Sequence, residues 1–233
     1  MRKVANVTRR VEQAYEIIRD SICDCTLEPG THLVQEDLAA DIGVSRQPIQ
    51  QAMLLLKADG LVIETGGRGL YVAPMDPDSI VFHYQIRTQM DRLAACLVAH
   101  RSAHADASAF RRDLEINGQR LIDQGRRANR EAGAAAAVAL DMQFHTLIYE
   151  YSGNPLISTA AEPHWNFLRR VMISVLLHAG RGDTVWDEHE RILQQLLAGQ
   201  ASVADTVEAH ILGAQRALLD ILNGDDRLTT RSS

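Results

Sequence analysis

Asp141 and His145 stand four residues apart, a spacing that puts both side chains on one helix face about a turn from each other. They flank the apolar series Leu140, Phe144, Leu147 and Tyr151, so that face turns toward an interior. Two more imidazoles share this setting. His189 lies among Val185, Ile192, Leu193 and Leu196, and His210 among Val203, Val207, Ile211 and Ala214. Taken singly, each histidine reads as a core residue satisfied by a neighbour. Taken together, one carboxylate and three imidazoles occupy the inward faces of three helices, where uncompensated polar groups are expensive. A divalent cation satisfies all four at once, and helix bundles build metal sites from facing side chains in this manner. Three His and one Asp suit Zn²⁺ or Ni²⁺, with Mn²⁺ or Fe²⁺ as further options, whereas Ca²⁺ would want more oxygens. Arg87 is another inward polar residue, beside Ile86, Met90 and Leu97, with Asp91 four positions on. It forms either an intrahelical pair with Asp91 or a guanidinium ready for a ligand carboxylate.

A second chemistry is written in residues 38–72. Leu38, Ala39 and Ile42 give a short apolar helical face, Gly43 supplies a turn residue tolerated at positive φ, and Ser45 is placed to cap the next helix. Pro48 falls in that helix's first turn, where a missing N–H does no harm. Ile49, Ala52, Met53 and Leu56 form its buried side, which leaves Arg46, Gln47, Gln50 and Gln51 projecting. Residues 61–63 and 70–72 are short apolar runs flanking a glycine-rich tip that carries Arg68. The combination reads as a helix-turn-helix closed by a β-hairpin wing, whose second helix meets base edges in the major groove of double-stranded DNA. The polar ends of Arg and Gln suit guanine and adenine. An ordinary helical domain with a small hairpin is the plainer alternative.

The elements that must position these residues follow from periodicity. Residues 1–7 read as a loose basic arm. An amphipathic helix then spans about 8–25 and carries Arg9 and Arg10, a short strand is expected near 31–34, and a second helix covers 36–41. The Ala73-Pro74-Met75-Asp76-Pro77 segment marks a boundary, giving a DNA-reading domain at 1–75 and a helical domain at 76–233. Asp78 or Ser79 can cap the first helix beyond it. Helices are expected at about 78–103, 106–126, 130–151, 155–178, 184–198 and 202–223, with Gly125, Ser152-Gly153-Asn154-Pro155, residues 180–182, Gly199 and Gly224 as breaks. No repeat of fixed length is present, so six helices with short connections imply an antiparallel bundle rather than a solenoid. The basic group Arg120, Arg126, Arg127 and Arg130 reads as a solvated helix end.

Composition narrows the function classes. The chain has 233 residues, enough for two modest domains, and 46% hydrophobic content supports a real core. Aromatic content of 5% argues against a single-strand binder that stacks bases. Cys23, Cys25 and Cys96 fit no metal-finger spacing and read as small buried thiols in a reducing compartment. No leader opens the chain and no apolar run approaches ~18 residues, so a soluble cytoplasmic protein is expected. Residues 1–75 carry eight Lys and Arg against ten Asp and Glu, a net charge of −2 that is unusual for a DNA reader. Phosphate neutralisation is local, however, and a dimer doubles it.

These motifs resemble the GntR superfamily of transcription regulators. Over residues 8–75 the resemblance rests on an IRDSI-type first helix, the Pro29-Gly30 turn, L-A-x-x-I-G-V-S-R-x-P, G-L-V and the G-R-G wing. Over residues 78–223 the chain is similar to the FadR-type ligand-binding domain called FCD. The matching motifs are R-x-x-x-D at Arg87 and Asp91, D-x-x-x-H ending in His145, S-G-N at Ser152, E-H-x-x-I at Glu188, and a lone His in the last helix. The resemblance implies a mainly α fold, with an N-terminal winged helix-turn-helix and a C-terminal all-α antiparallel helical bundle. It also implies a homodimeric regulator that binds operator DNA and a small carboxylate effector, and a ligand-responsive repressor is the expected role. Asp141, His145, His189 and His210 match the ligands of metal-dependent members, and Arg87 stands where an arginine helps hold the effector. Where the family usually has Arg-Glu, this chain has Gln50-Gln51, and Glu36 takes a place where some members carry arginine. Two other functions remain on this reading. A metalloregulator would sense the ion itself, and a metalloenzyme would use metal-bound water, although no separately placed acid or base accompanies the site, Asp187 and Glu188 being merely adjacent.

Overall fold

The computed structural model of the chain describes residues 5–67, 69–179 and 184–224. The chain divides into two compact units, the first ending at Asp76 and the second beginning at Pro77.

The first unit is built from α1 (Ala5–Cys23), β1 (His32–Leu33), α2 (Gln35–Ile42), α3 (Arg46–Ala58), β2 (Val62–Glu64) and β3 (Leu70–Val72). Helix α1 buries Val11, Ala14, Ile18 and Ile22, the three- and four-residue steps that keep one face inward. It already includes Ala5, so residues 5–7 are helical and not part of a loose arm, while residues 1–4 lie outside the described residues. Gly43 ends α2 in the left-handed conformation at φ +76, returning its N–H to the carbonyls of Ala39 and Ala40. Ser45 stands in extended conformation at the N-cap of α3, but its hydroxyl makes no capping bond, contrary to expectation. Pro48, Ile49, Ala52, Met53 and Leu56 are buried on α3, and the last four share one core with Ala14, Ile18 and Ile22 of α1. The strands form an antiparallel sheet in the order β1-β3-β2, with Ile63 opposite Tyr71 and Leu33 opposite Leu70.

Among its described residues the second unit is all helical: α4 (Pro77–Ser102), α5 (Ser108–Glu131), α6 (Ala134–Ser152), α7 (Pro155–Ala179), α8 (Thr184–Leu197) and α9 (Val203–Gly224). Helix α4 is central and touches all five others. It starts at Pro77, where a missing N–H is harmless, so Asp78 and Ser79 lie inside its first turn instead of capping it.

Helix α5 does not break at Gly125 but continues to Glu131. The glycine is there for close approach. A Cβ at Gly125 would lie 2.1 Å from the Trp186 ring of α8, and one at Gly118 would lie 2.7 Å from Leu193 of the same helix. Arg126, expected in a solvated group, bridges to α8 through Asp187 and Glu190, each at 2.7 Å. The cysteines also depart from expectation: Cys23 is buried, but Cys25 is half-buried and Cys96 is exposed. No described helix is long and apolar enough to cross a membrane.

Candidate metal centre and nucleic-acid interface

Helices α6, α8 and α9 bring Asp141, His145, His189 and His210 together in the core of the bundle. One ligand atom from each lies within 4.8 Å of all the others. The Nε2 atoms of His189 and His210 are 3.2 Å apart, and His189 Nε2 is 3.3 Å from Asp141 Oδ1. For comparison, donors held about 2.0–2.2 Å from one tetrahedral ion stand about 3.3–3.6 Å apart. His145 and His189 are wholly buried and Asp141 and His210 nearly so.

The imidazoles are oriented from behind. His145 Nδ1 is 2.6 Å from Asp91 Oδ1, and His210 Nδ1 is 2.6 Å from Glu188 Oε2. Burial alone would raise the Asp91 carboxyl. His145, Arg87 and a hydrogen bond from Tyr149 outweigh it and hold Asp91 below the usual carboxylate range. An ionised carboxylate only accepts, so His145 must donate from Nδ1, and in the neutral imidazole its Nε2 is then a bare lone pair. That Nε2 is buried and makes no hydrogen bond, and neither does Asp141 Oδ2. Burial pushes the His210 imidazole below its ordinary value despite the opposing pull of Glu188, which favours the neutral, ligating form.

Arg87 sits beside this cluster on α4. Its Nε is 3.7 Å from Asp91 and its Nη2 3.9 Å from Asp141, too long for hydrogen bonds. The guanidinium lies 4.9 Å over the Trp165 ring and 5.7 Å from that of Tyr84, and Nε and Nη1 make no hydrogen bond. Burial would discharge it, but Asp91 leads a set of neighbours that raise it above its ordinary value, so it stays a cation. The intrahelical pairing with Asp91 is therefore real but incomplete. A buried, charged guanidinium retains donors that need an acceptor.

Arg46, Gln47, Gln50 and Gln51 are all exposed along the N-terminal half of α3. Arg9 and Arg10 are exposed on α1. Gly66 and Gly67 hold positive φ at the hairpin tip, while Arg68 lies outside the described residues. Arg46 Nη1 is 2.7 Å from Glu36 Oε1, and Lys57 Nζ is 2.6 Å from Glu64 Oε2.

Comparison with known proteins assigns both units. Residues 10–72 match the bacterial regulatory proteins of the gntR family, and residues 83–213 match the FCD domain. The chain belongs to the GntR family. It is 27% identical over 186 residues to the uncharacterized HTH-type transcriptional regulator YdhC of Bacillus subtilis, covering 79% of each chain. It is 24% identical over 247 residues to the Uxu operon transcriptional regulator of Escherichia coli, covering 97% of this chain and 93% of that one. A Rhodococcus sp. RHA1 structure described as a GntR transcriptional regulator superposes with a TM-score of 0.71 at 21% identity, covering 91% of this chain and 98% of that one. Escherichia coli McbR/YncC gives 0.70 at 17%, covering 92% and 97%. At these identities the structural likeness is one of fold. This GntR-family chain is a DNA-binding transcription regulator with an FCD domain.

The sequence missed part of this regulator's bundle site. Asp91 was legible only as a partner for Arg87, yet it orients His145 from 54 positions away. Tyr149, which donates to Asp91 Oδ2 at 2.7 Å, carried a signal in standing one turn after His145. Glu188 carried a weaker one, next to His189. Trp165 had none, because α7 brings it to the site from another part of the chain.

Proposed function

We propose that this regulator is a homodimeric repressor whose operator binding is controlled by a small organic acid held at a metal centre in the helical unit. Asp141, His145, His189 and His210 hold the divalent ion, with Zn²⁺ or Ni²⁺ favoured by the donor set and Mn²⁺ or Fe²⁺ compatible. The ion supplies a Lewis-acidic docking point for a carboxylate. Arg87 pairs with that carboxylate through the donors that have no protein acceptor. Residues 1–75 read double-stranded DNA, with Arg46, Gln47, Gln50 and Gln51 at base edges and Arg9, Arg10 and Arg68 on the backbone. Residues 76–233 bind ion, effector and the second copy. Phe82, Ile86 and Leu93 support that last role, since they lie exposed on one stripe of α4.

One observation carries the reading. Within one buried cluster, His145 Nε2, Asp141 Oδ2 and two nitrogens of Arg87 all go without a hydrogen bond, an arrangement that is expensive unless a cation and an anion complete it together. The Arg87 donors also favour an acid effector over an ion sensed by itself.

The test is fluorescence anisotropy on a duplex recovered by in vitro selection with the full chain, using hydroxy acids, sugar acids and dicarboxylates with and without a chelator. One class of acid should weaken DNA binding severalfold, and only with metal present. If metal alone shifts binding and no acid adds to it, the chain is a metal sensor. If neither changes binding, the control mechanism is wrong.

A further inference from the structure

The two described cations that flank the reading face of α3 are both engaged by carboxylates. Arg46 opens α3 and is tied to Glu36 of α2 at 2.7 Å, while Lys57 near its end is tied to Glu64 of β2 at 2.6 Å. Both pairs line one open groove of about 730 Å³ between α2, α3 and the hairpin, together with His32, Gln50 and Leu54. They are solvent-facing: the Arg46 and Glu36 side chains are 60% and 66% exposed, and those of Lys57 and Glu64 35% and 55%. Exposed pairs like these add little to fold stability. Their placement on the reading face calls for another account.

We propose that Glu36 and Glu64 are specificity-determining residues that compete with DNA phosphates for Arg46 and Lys57. Non-specific affinity comes almost wholly from cations neutralising phosphates. A carboxylate that already holds the cation, and itself repels a phosphate, therefore weakens binding to any duplex. A cognate site regains affinity through base-edge contacts, which Gln50 and its neighbours can make without charge. The acids thus act as repulsive elements against the wrong partner, and specificity is a difference of affinities. The net charge of −2 over residues 1–75 then follows from how this domain discriminates.

This inference rests on α3 being the DNA-contacting helix, so the experiment separates the two. Anisotropy titrations over a range of salt would use the full chain on a random-sequence duplex and on a duplex recovered by in vitro selection with the wild type. The variants are Glu36→Gln, Glu64→Gln, Arg46→Ala and the double variant Glu36→Gln/Arg46→Ala. Either Gln variant should tighten binding to the random duplex about threefold to tenfold and steepen its log K against log salt slope by up to about one unit per domain engaged. Binding to the selected duplex should change less, so discrimination falls. The gain from Glu36→Gln should vanish when Arg46 is already Ala. Unchanged affinity and slope in Glu36→Gln, weaker binding to both duplexes, or an equal gain without Arg46 would each overturn the proposal. If Arg46→Ala binds the selected duplex as well as wild type, the docking of α3 fails first. If Arg46→Ala weakens it while Glu36→Gln is silent, only the competition fails.

Discussion

His145 donates a hydrogen bond from Nδ1 to Asp91 Oδ1 across 2.6 Å, and this one bond decides which face of the imidazole is available. Asp91 is ionised and can only accept, so Nε2 of His145 points its lone pair into the cluster formed with Asp141, His189 and His210. His210 is set the same way by Glu188. Carboxylates behind ligating histidines fix their tautomer and raise their basicity.

Replacing Asp91 with Asn should therefore weaken metal binding without abolishing it. An amide can still accept from Nδ1 but supplies no negative charge. Loss of such an outer partner typically lowers affinity about 10- to 100-fold. Competition titration against a chromogenic chelator would read it, with stoichiometry unchanged at saturating ion. Wild-type affinity in Asp91→Asn would remove Asp91 from the site.

Arg87→Met should separate the effector from the ion. Metal content stays as in wild type, because Arg87 is not among the four converging donors. Truncating one partner of a buried charge pair costs about 2 kcal/mol or more, so affinity for the responsive acid should fall about 30-fold or further. Calorimetric titration of that acid into the metal-loaded variant is the measurement. Unchanged affinity would show that the acid does not touch Arg87.

The glycines of the bundle should respond with opposite signs. Ala is favoured over Gly inside a helix by roughly 1 kcal/mol. At Gly125 the new methyl would lie 2.1 Å from the buried Trp186 ring, and overpacking of about 1–3 kcal/mol should outweigh that gain. Gly118→Ala should cost less, since it meets the branched end of Leu193. Gly213→Ala meets nothing within 4 Å and should raise the Tm. Thermal unfolding of the three variants gives the order directly.

These glycines show where sequence reading stops. Local periodicity located the elements well, because a helix's apolar stripe and a turn's glycine act within a few residues. Gly125 read as a helix break since its reason, the Trp186 ring, lies 61 positions away on α8. Ser45 read as a cap from residue type, but its hydroxyl makes no such bond. The buried cluster of Asp141, His145, His189 and His210 was legible because each of the three helices that supply it carries its own apolar stripe. The outer groups Asp91, Glu188 and Trp165 were less so, because their roles exist only once different helices meet.

The groove on the DNA-reading unit predicts a pH signature. The hydrogen bond and charge of Lys57 hold the Glu64 carboxyl below its ordinary value of 4.5. A depressed folded pKa contributes stability that is present above the ordinary value and lost as pH falls through the lowered one. Side-chain carboxyl NMR of the full chain should show Glu64 titrating below 4.5 in wild type and returning there in Lys57→Met. An unshifted Glu64 in wild type would break the pair.

The central claim is that Asp141, His145, His189 and His210 hold one divalent ion. It is tested most directly by the metal content of the chain after loading with Zn²⁺ or Ni²⁺ and exhaustive desalting, for wild type and for His189→Ala/His210→Ala. Circular dichroism would establish that both are folded. The account predicts one ion per wild-type chain and none in the double variant. Equal metal content in the two folded proteins, or none in the wild type, would contradict it.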